Sequence, residues 1–203
     1  KKWERWRFTK IQLEQGIGKT RCSLQKTFIM KPELSVVIPC LNEEKNIASC
    51  LDSLIESDFP FHSMEILVVD GFSTDNTRKI IEEYSKIHPN IRLIDNRDKI
   101  TPAALNKGIL NASADKIMIS GAHAKYSRDY ISVLLQKMSD LKADVTGGVM
   151  QTLPGDESVK AQSIALALSS GIGVGNSMFR KGVEKDTKMD TVPLGISKKE
   201  VFD

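Results

Sequence analysis

From Pro32 onward, short apolar runs alternate with longer amphipathic stretches. Leu34–Ile38 (LSVVI) is a β-branched run ended by Pro39, the pattern of a strand buried on both faces. Ile47, Cys50, Leu51, Leu54 and Ile55 then recur at helical spacing, with Asn42 as the expected N-cap. Met64–Val69 (MEILVV) predicts a second strand, stopped at Asp70-Gly71. Asp75 is expected to cap a helix with Ile80, Ile81, Tyr84 and Ile87 on its apolar face. Ile91–Ile94 predicts a third strand. Thr101 and Pro102 read as N-cap and first residue of a helix that buries Leu105, Ile109 and Ala112. Lys116–Ser120 (KIMIS) predicts a fourth strand, Tyr130, Val133, Leu134, Met138 and Leu141 a further helix, and Asp144–Gln151 a last strand. The apolar stretch Ile164 to Val174 is read as core in preference to an exposed approach surface.

Strands of about five residues between helices of about ten to fifteen imply an α/β fold, with a doubly wound, Rossmann-like, mainly parallel sheet and helices on both faces. Ligands of such sheets bind beyond the carboxyl ends of the strands. The residues to inspect are therefore Pro39 to Glu43, Asp70 to Asp75, Asp95 to Thr101, and Gly121 to His123.

Composition changes this picture mainly at the N-terminus. With 203 residues, 40% hydrophobic and 27% charged, the chain can bury a core, which excludes wholesale disorder. The net charge of +3 divides unevenly. Residues 1–31 hold nine Lys or Arg against two Glu, net +7, and residues 32–203 hold 20 against 24, net −4. We therefore separate a basic leader, 1–31, from a domain, 32–203. An acidic domain lacks the Lys/Arg surplus that a nucleic-acid partner requires. In the leader, Trp3, Trp6, Leu13 and Ile17 fall near one helical face, which suits peripheral attachment to an anionic membrane. Lys10 breaks that stripe, and an exposed leader is the preferred reading. Three cysteines without ligand spacing suggest neither a disulfide framework nor a zinc site, which fits a reducing compartment. Gly16 to Thr20 lacks the first glycine of a P-loop, and Gly171 to Asn176 lacks the third of a dinucleotide fingerprint.

Taken together, LSVVIPCLNEEKNIASCLDSL and MEILVVDGFSTDNTRKIIEEY resemble the opening of glycosyltransferase family 2, whose members use nucleotide-sugar donors on the GT-A fold. The likeness continues through TPAALNKGILNASADKIMIS, GAHAKYSRDYI, GVGNSMFR and DTVPLG, similar to the branch that builds bacterial exopolysaccharides such as succinoglycan. The resemblance implies inverting transfer from a UDP- or GDP-sugar to a saccharide or lipid-linked acceptor, in the cytoplasm at the inner face of a membrane. It implies that Pro39, Asn42, Glu43 and Asp70 line the base and ribose, and that Lys99 and Asn106 face the diphosphate and donor pocket. Phe72 departs from the usual glycine and is expected to alter base or ribose packing.

At Gly121-Ala122-His123 the family places Asp-x-Asp or Asp-x-His to hold ribose and a divalent cation, Mn²⁺ or Mg²⁺. Gly121 replaces the first Asp, leaving His123 as the candidate metal ligand and putting metal dependence in doubt. The family's general base belongs to an acidic motif downstream of DTVPLGISKKEVFD, so the domain is expected to be incomplete at its C-terminus. Asp190, the nearby acid, is assigned to the acceptor side or to loop structure before general base. A degenerate nucleotide-binding module without turnover is the alternative.

Overall fold

A computed structural model describes residues 31–170, 173, 177–183 and 185–202. The leader, apart from Lys31, and the glycine-rich stretches at 16–20 and 171–176, apart from Gly173, lie outside the described residues.

The sheet is built around β1 (Leu34–Cys40), whose residues are buried except for half-buried Pro39. It pairs in parallel with β2 (Met64–Asp70) and β4 (Lys116–Ile119), and β2 pairs in parallel with β3 (Ile91–Asp95). Two short strands extend the far edge: β5 (Val145–Thr146) and β6 (Ile196–Lys198), with β6 antiparallel to both β4 and β5. The order is β3-β2-β1-β4-β6-β5.

Alternation of side chains along β1 divides the core in two. Val36 and Ile38 pack on α1 (Ile47–Ile55), with Ile81 of α2 (Thr77–Ile87) and Ile131, Leu134 and Met138 of α4 (Tyr130–Asp140). Val37 packs on the opposite face with Leu67, Val69, Ile117 and Ala104 of α3 (Thr101–Asn111). The doubly wound, mainly parallel α/β architecture is the one expected.

Several boundaries differ. Strand β1 continues through Pro39, which pairs with Val69. Its ladder with β4 reaches only Val37–Ile119, so Pro39 has a sheet neighbour on one side and its missing N–H is tolerated. Asn42 is not the cap of α1. It adopts a left-handed conformation at φ 54°, and Asn46 holds the N-cap position. Asn76 likewise precedes α2, although the Asp75 carboxylate accepts the Thr77 N–H at 3.0 Å. Thr101 is the first residue of α3 and Ile100 the one before it.

The strand expected over 144–151 shrinks to Val145–Thr146. After it come Gly147 and Gly148, where an added Cβ would lie 2.2 Å from Val192 Cγ1 and 2.6 Å from Tyr130 Cε2. The chain leaves the sheet there to pack against those side chains. Strand β6 was not anticipated, because three residues with one apolar member carry no periodicity. Helix α5 (Val159–Ser169) also corrects the core reading of the Ile164 stretch. Ala165 is buried but Leu166 is 73% exposed. A further short helix, α6 (Met178–Lys181), leads toward the final strand.

Gly108 is where α3 comes closest to the sheet. A Cβ there would stand 2.2 Å from Val37 Cγ1, and Val37 is fully buried at the sheet centre. Gly108→Ala is expected to lower unfolding stability by about 1–3 kcal/mol through overpacking. Thermal or urea unfolding checks this, and no loss would show that α3 can move off the sheet freely.

Candidate functional site

The register of the first three strands places their carboxyl ends side by side. Cys40 pairs with Asp70, and Asp70 with Asp95. The following loops are joined by hydrogen bonds between backbone and side chain. The Asn42 N–H donates to Ser73 Oγ (2.8 Å), and the Thr74 N–H donates to Asn42 Oδ1 (2.8 Å). The Glu43 N–H donates to Thr77 Oγ1 (2.8 Å), and the Glu44 N–H to Asp75 Oδ2 (3.2 Å). The side chain of Glu44 in turn accepts the Asn76 N–H at 3.0 Å. Asn42 and Asp75 therefore bind one loop to the next, which is the structural reason for their polar side chains.

Asp70 is completely buried. It accepts the Ser73 N–H (3.0 Å), the Ser73 hydroxyl, and Nη1 of Arg78 (2.8 Å). Arg78 also donates through Nη2 to Asp95 (2.9 Å). Asp70 first, and then Asp95, holds the guanidinium charged and raises its pKa. Its Cζ lies 5.5 Å from the centre of the Phe72 ring. Phe72 has φ 61° and is 37% exposed.

The third loop meets the second through backbone. The Asn96 N–H donates to the Asp70 carbonyl (2.8 Å), and a Cβ on Gly71 would lie 3.5 Å from Lys99 Cα and 3.3 Å from Leu41 Cδ1. Lys99 is thus at the site, left-handed at φ 58° with an exposed side chain. Asn96 is buried and donates to the Ile100 carbonyl at 3.1 Å, while its Oδ1 has no hydrogen-bond partner among the described residues. Asn106 is exposed on α3, and its neighbour Lys107 is the residue that reaches the end of β3, donating to the Asp95 carbonyl at 2.9 Å.

Beyond β4, Gly121-Ala122-His123 turns toward the first loop. His123 Nδ1 lies 3.3 Å from Glu43 Oε1, joining two candidates eighty positions apart. The imidazole is 72% exposed and the Glu43 side chain 23%. Beneath the turn, Tyr126 donates to Ser120 Oγ (2.8 Å) and the Cys50 thiol to the Gly121 carbonyl (3.4 Å). Burial pushes Cys50 up to about 11 against the opposing Ser120 hydrogen bond, so this thiol is a protonated structural group. Leu194, left-handed at φ 51°, packs within 3.9 Å of a Cβ placed on Gly121, and its carbonyl accepts the Tyr130 hydroxyl at 3.0 Å. Asp190 is exposed four residues earlier.

Sequence reasoning did not single out Ser73, Thr77, Arg78, Asn96 or Lys107. Arg78 lies on the polar side of an amphipathic helix and gives no periodic signal of its own. Only the alignment of β2 with β3 shows that it bridges two carboxylates.

Residues 35–197 match glycosyl transferase family 2, and the chain belongs to that family. It is 34% identical over 149 residues to the succinoglycan biosynthesis protein ExoA of Rhizobium meliloti, covering 72% of this chain and 44% of that protein. It is 32% identical over 153 residues to a dolichyl N-acetyl-alpha-D-glucosaminyl phosphate 3-beta-D-2,3-diacetamido-2,3-dideoxy-beta-D-glucuronosyltransferase of Methanococcus voltae, covering 72% and 47%. The chain spans about half the length of these curated relatives. The fold is shared with S. aureus TarS in complex with UDP-GlcNAc, at TM-score 0.63 and 22% identity over 84% of this chain and 46% of that one. It is also shared with the mannosyltransferase PcManGT of Pyrobaculum calidifontis in complex with GDP-Man and Mn²⁺. That match has TM-score 0.54 and 26% identity over 61% and 37% of the two chains.

Among the described residues, no group of three His, Cys, Asp or Glu side chains converges to hold a metal. His123 and Glu43 offer two such groups, so these residues do not form a complete metal site. At Gly121 the nearest atoms stand 3.9 Å from an added Cβ, two of them in the His123 ring, and an aspartate fits beside the imidazole. Gly121→Asp is expected to fold and to bind Mn²⁺ more tightly than the parent chain by calorimetry. Equal affinities would mean that the carboxylate is not directed toward His123.

Asp75 makes the loop junction pH-sensitive. Burial raises its pKa, but hydrogen bonds from the Thr77 hydroxyl and N–H and from the Glu44 N–H outweigh this and hold it below the ordinary 3.8. A depressed carboxyl stabilises the fold above its unfolded value, and that contribution is lost as the pH falls through the folded one. Melting temperature should therefore fall less steeply for Asp75→Asn than for the parent between about pH 5 and about pH 3. Parallel curves would show that Asp75 does not link the loops.

Proposed function

We propose that the chain binds a nucleotide-sugar donor, UDP- or GDP-linked, at the crest formed by Pro39, Asn42, Glu43, Asp70, Lys99 and Gly121, and presents it for transfer with inversion to a saccharide or lipid-linked acceptor. The observation that carries this reading is the joining of the first three strand-end loops, in a family of glycosyl transferases, at the end of the sheet where α/β folds bind ligands. PcManGT, which binds GDP-Man and Mn²⁺, supports the donor class.

Inverting transfer requires an acceptor hydroxyl to attack the anomeric carbon as the diphosphate leaves from the opposite side. The contribution of this chain is positioning: interlocked loops hold the donor with little reorganisation, which can supply much of the acceleration. Lys99 lies in the loop that would face the diphosphate and favours the growing negative charge on it. Asn106 is the weaker diphosphate candidate, because Lys107 makes the contact with the end of β3. His123, with Glu43 beside it, is the residue that would hold a divalent cation, which would supply charge stabilisation for the leaving diphosphate. Asp190, on the segment leading to Leu194 and Gly121, is assigned to the acceptor side, and no residue of the chain is assigned as general base. The exposed apolar side chains of Ile164 and Leu166 on α5 support a lipid-linked acceptor and peripheral association with the inner face of a membrane. Among the described residues no helix is long and apolar enough to cross one.

Gly121 and the two-ligand metal position favour a second reading, a nucleotide-binding module without turnover. Calorimetry with UDP and GDP, each with and without Mn²⁺, is expected to show binding of at least one nucleotide. Release of UDP or GDP from the matching nucleotide sugar then separates enzyme from module, and absence of binding to either nucleotide removes both readings.

A further inference from the structure

The family resemblance implies that Asp70 contacts the donor's base, but the carboxylate is fully buried and accepts bonds from Ser73 and Arg78. The groups that do reach the surface beside it are of another kind. Each of the first three strand-end loops exposes one large apolar side chain: Leu41 (44%), Phe72 (37%) and Ile100 (58%). Leu41 and the backbone of Lys99 both close on Gly71, directly before Phe72. Water-exposed apolar groups from three adjacent loops form a surface suited to a flat apolar ligand.

Phe72 is the member of this set with a defined orientation. Its backbone is left-handed, a conformation in which an aromatic residue is strained and which persists only where surroundings impose it. The surroundings impose it here: the next residue, Ser73, is anchored to Asp70, and the Arg78 guanidinium lies over the ring while both Asp70 and Asp95 hold it. A cation over one part of an aromatic ring fixes its plane and leaves the exposed portion for stacking. A second observation is the buried Asn96 Oδ1, an acceptor whose donor is absent among the described residues, in the loop whose Asn96 N–H donates to the Asp70 carbonyl.

We propose that the Phe72 ring, oriented by Arg78, is the stacking surface for the donor's nucleobase, and that Asp70 is a positioning residue acting on the base only through Arg78 and Ser73. This rests on the nucleotide-sugar reading and assigns its base-binding group. Stacking on an aromatic ring tolerates different bases, so this surface alone accepts uracil or guanine.

Phe72→Gly tests the proposal, because glycine removes the ring and is at ease at φ 61°. Calorimetry with UDP and GDP is expected to show affinity reduced about ten-fold or more for whichever nucleotide the parent binds. The melting temperature should stay level or rise, and Phe72→Tyr should restore affinity. Unchanged affinity in Phe72→Gly, failure of Phe72→Tyr to restore it, or a melting temperature that falls with the affinity would overturn the assignment while leaving the donor reading intact. A parent chain that binds neither nucleotide would remove the donor reading itself, and the stacking surface with it.

Discussion

One guanidinium shared between two strand ends organises the crest of this domain. Arg78 rises from the second helix and bridges Asp70 and Asp95, the final residues of neighbouring parallel strands. A buried carboxylate is costly unless it is charge-paired and hydrogen-bonded, and Asp70 has both kinds of compensation. Removing the arginine would leave an uncompensated charge at the end of the central sheet. The same group lies over Phe72, so the ion pair also fixes a side chain at the surface. The interlocking of the first two loops through Asn42 and Asp75 depends on the loop geometry that this bridge holds.

The crest joins two unlike halves. On the β1–β3 side, loops are bound to one another through side-chain and backbone hydrogen bonds, giving a rigid floor before any ligand arrives. On the β4–β6 side, the Gly121 turn rests on buried Ser120 and Cys50 and half-buried Tyr126, with Leu194 3.9 Å from a Cβ placed on Gly121. His123 stands exposed at the junction, close to Glu43. Gly121 brings no carboxylate to the second half, where His123 and Glu43 stand together.

Much of the fold was legible along the chain. The β-branched runs at Leu34, Met64, Ile91 and Lys116 and the helical stripes between them each need a buried face, and periodicity reports that need directly. The same signal failed where burial is partial or elements are very short. The apolar run around Ile164 became a mostly exposed helix, and Val145–Thr146 and Ile196–Lys198 form strands too brief to show a period. Asn42 and Asp75 were legible as polar residues at helix starts, but the nature of their bonds was not. A local cap and a tie to a neighbouring loop look the same in one dimension.

The sequence by itself determined the strand and helix order, the parallel sheet and the loops where a ligand would meet it, because these follow from local hydrophobic spacing and the short reach of connections. It also carried the family likeness in its first two strand-loop-helix segments. Only the tertiary structure decided which crest residues face outward. Asp70 turned inward because a carboxylate beside Arg78 and Ser73 gains more from those partners than from water. Phe72 remained at the surface because a left-handed turn and a guanidinium held by two strands place its ring there. Those outcomes depend on the register between β2 and β3, a long-range pairing that no local pattern encodes.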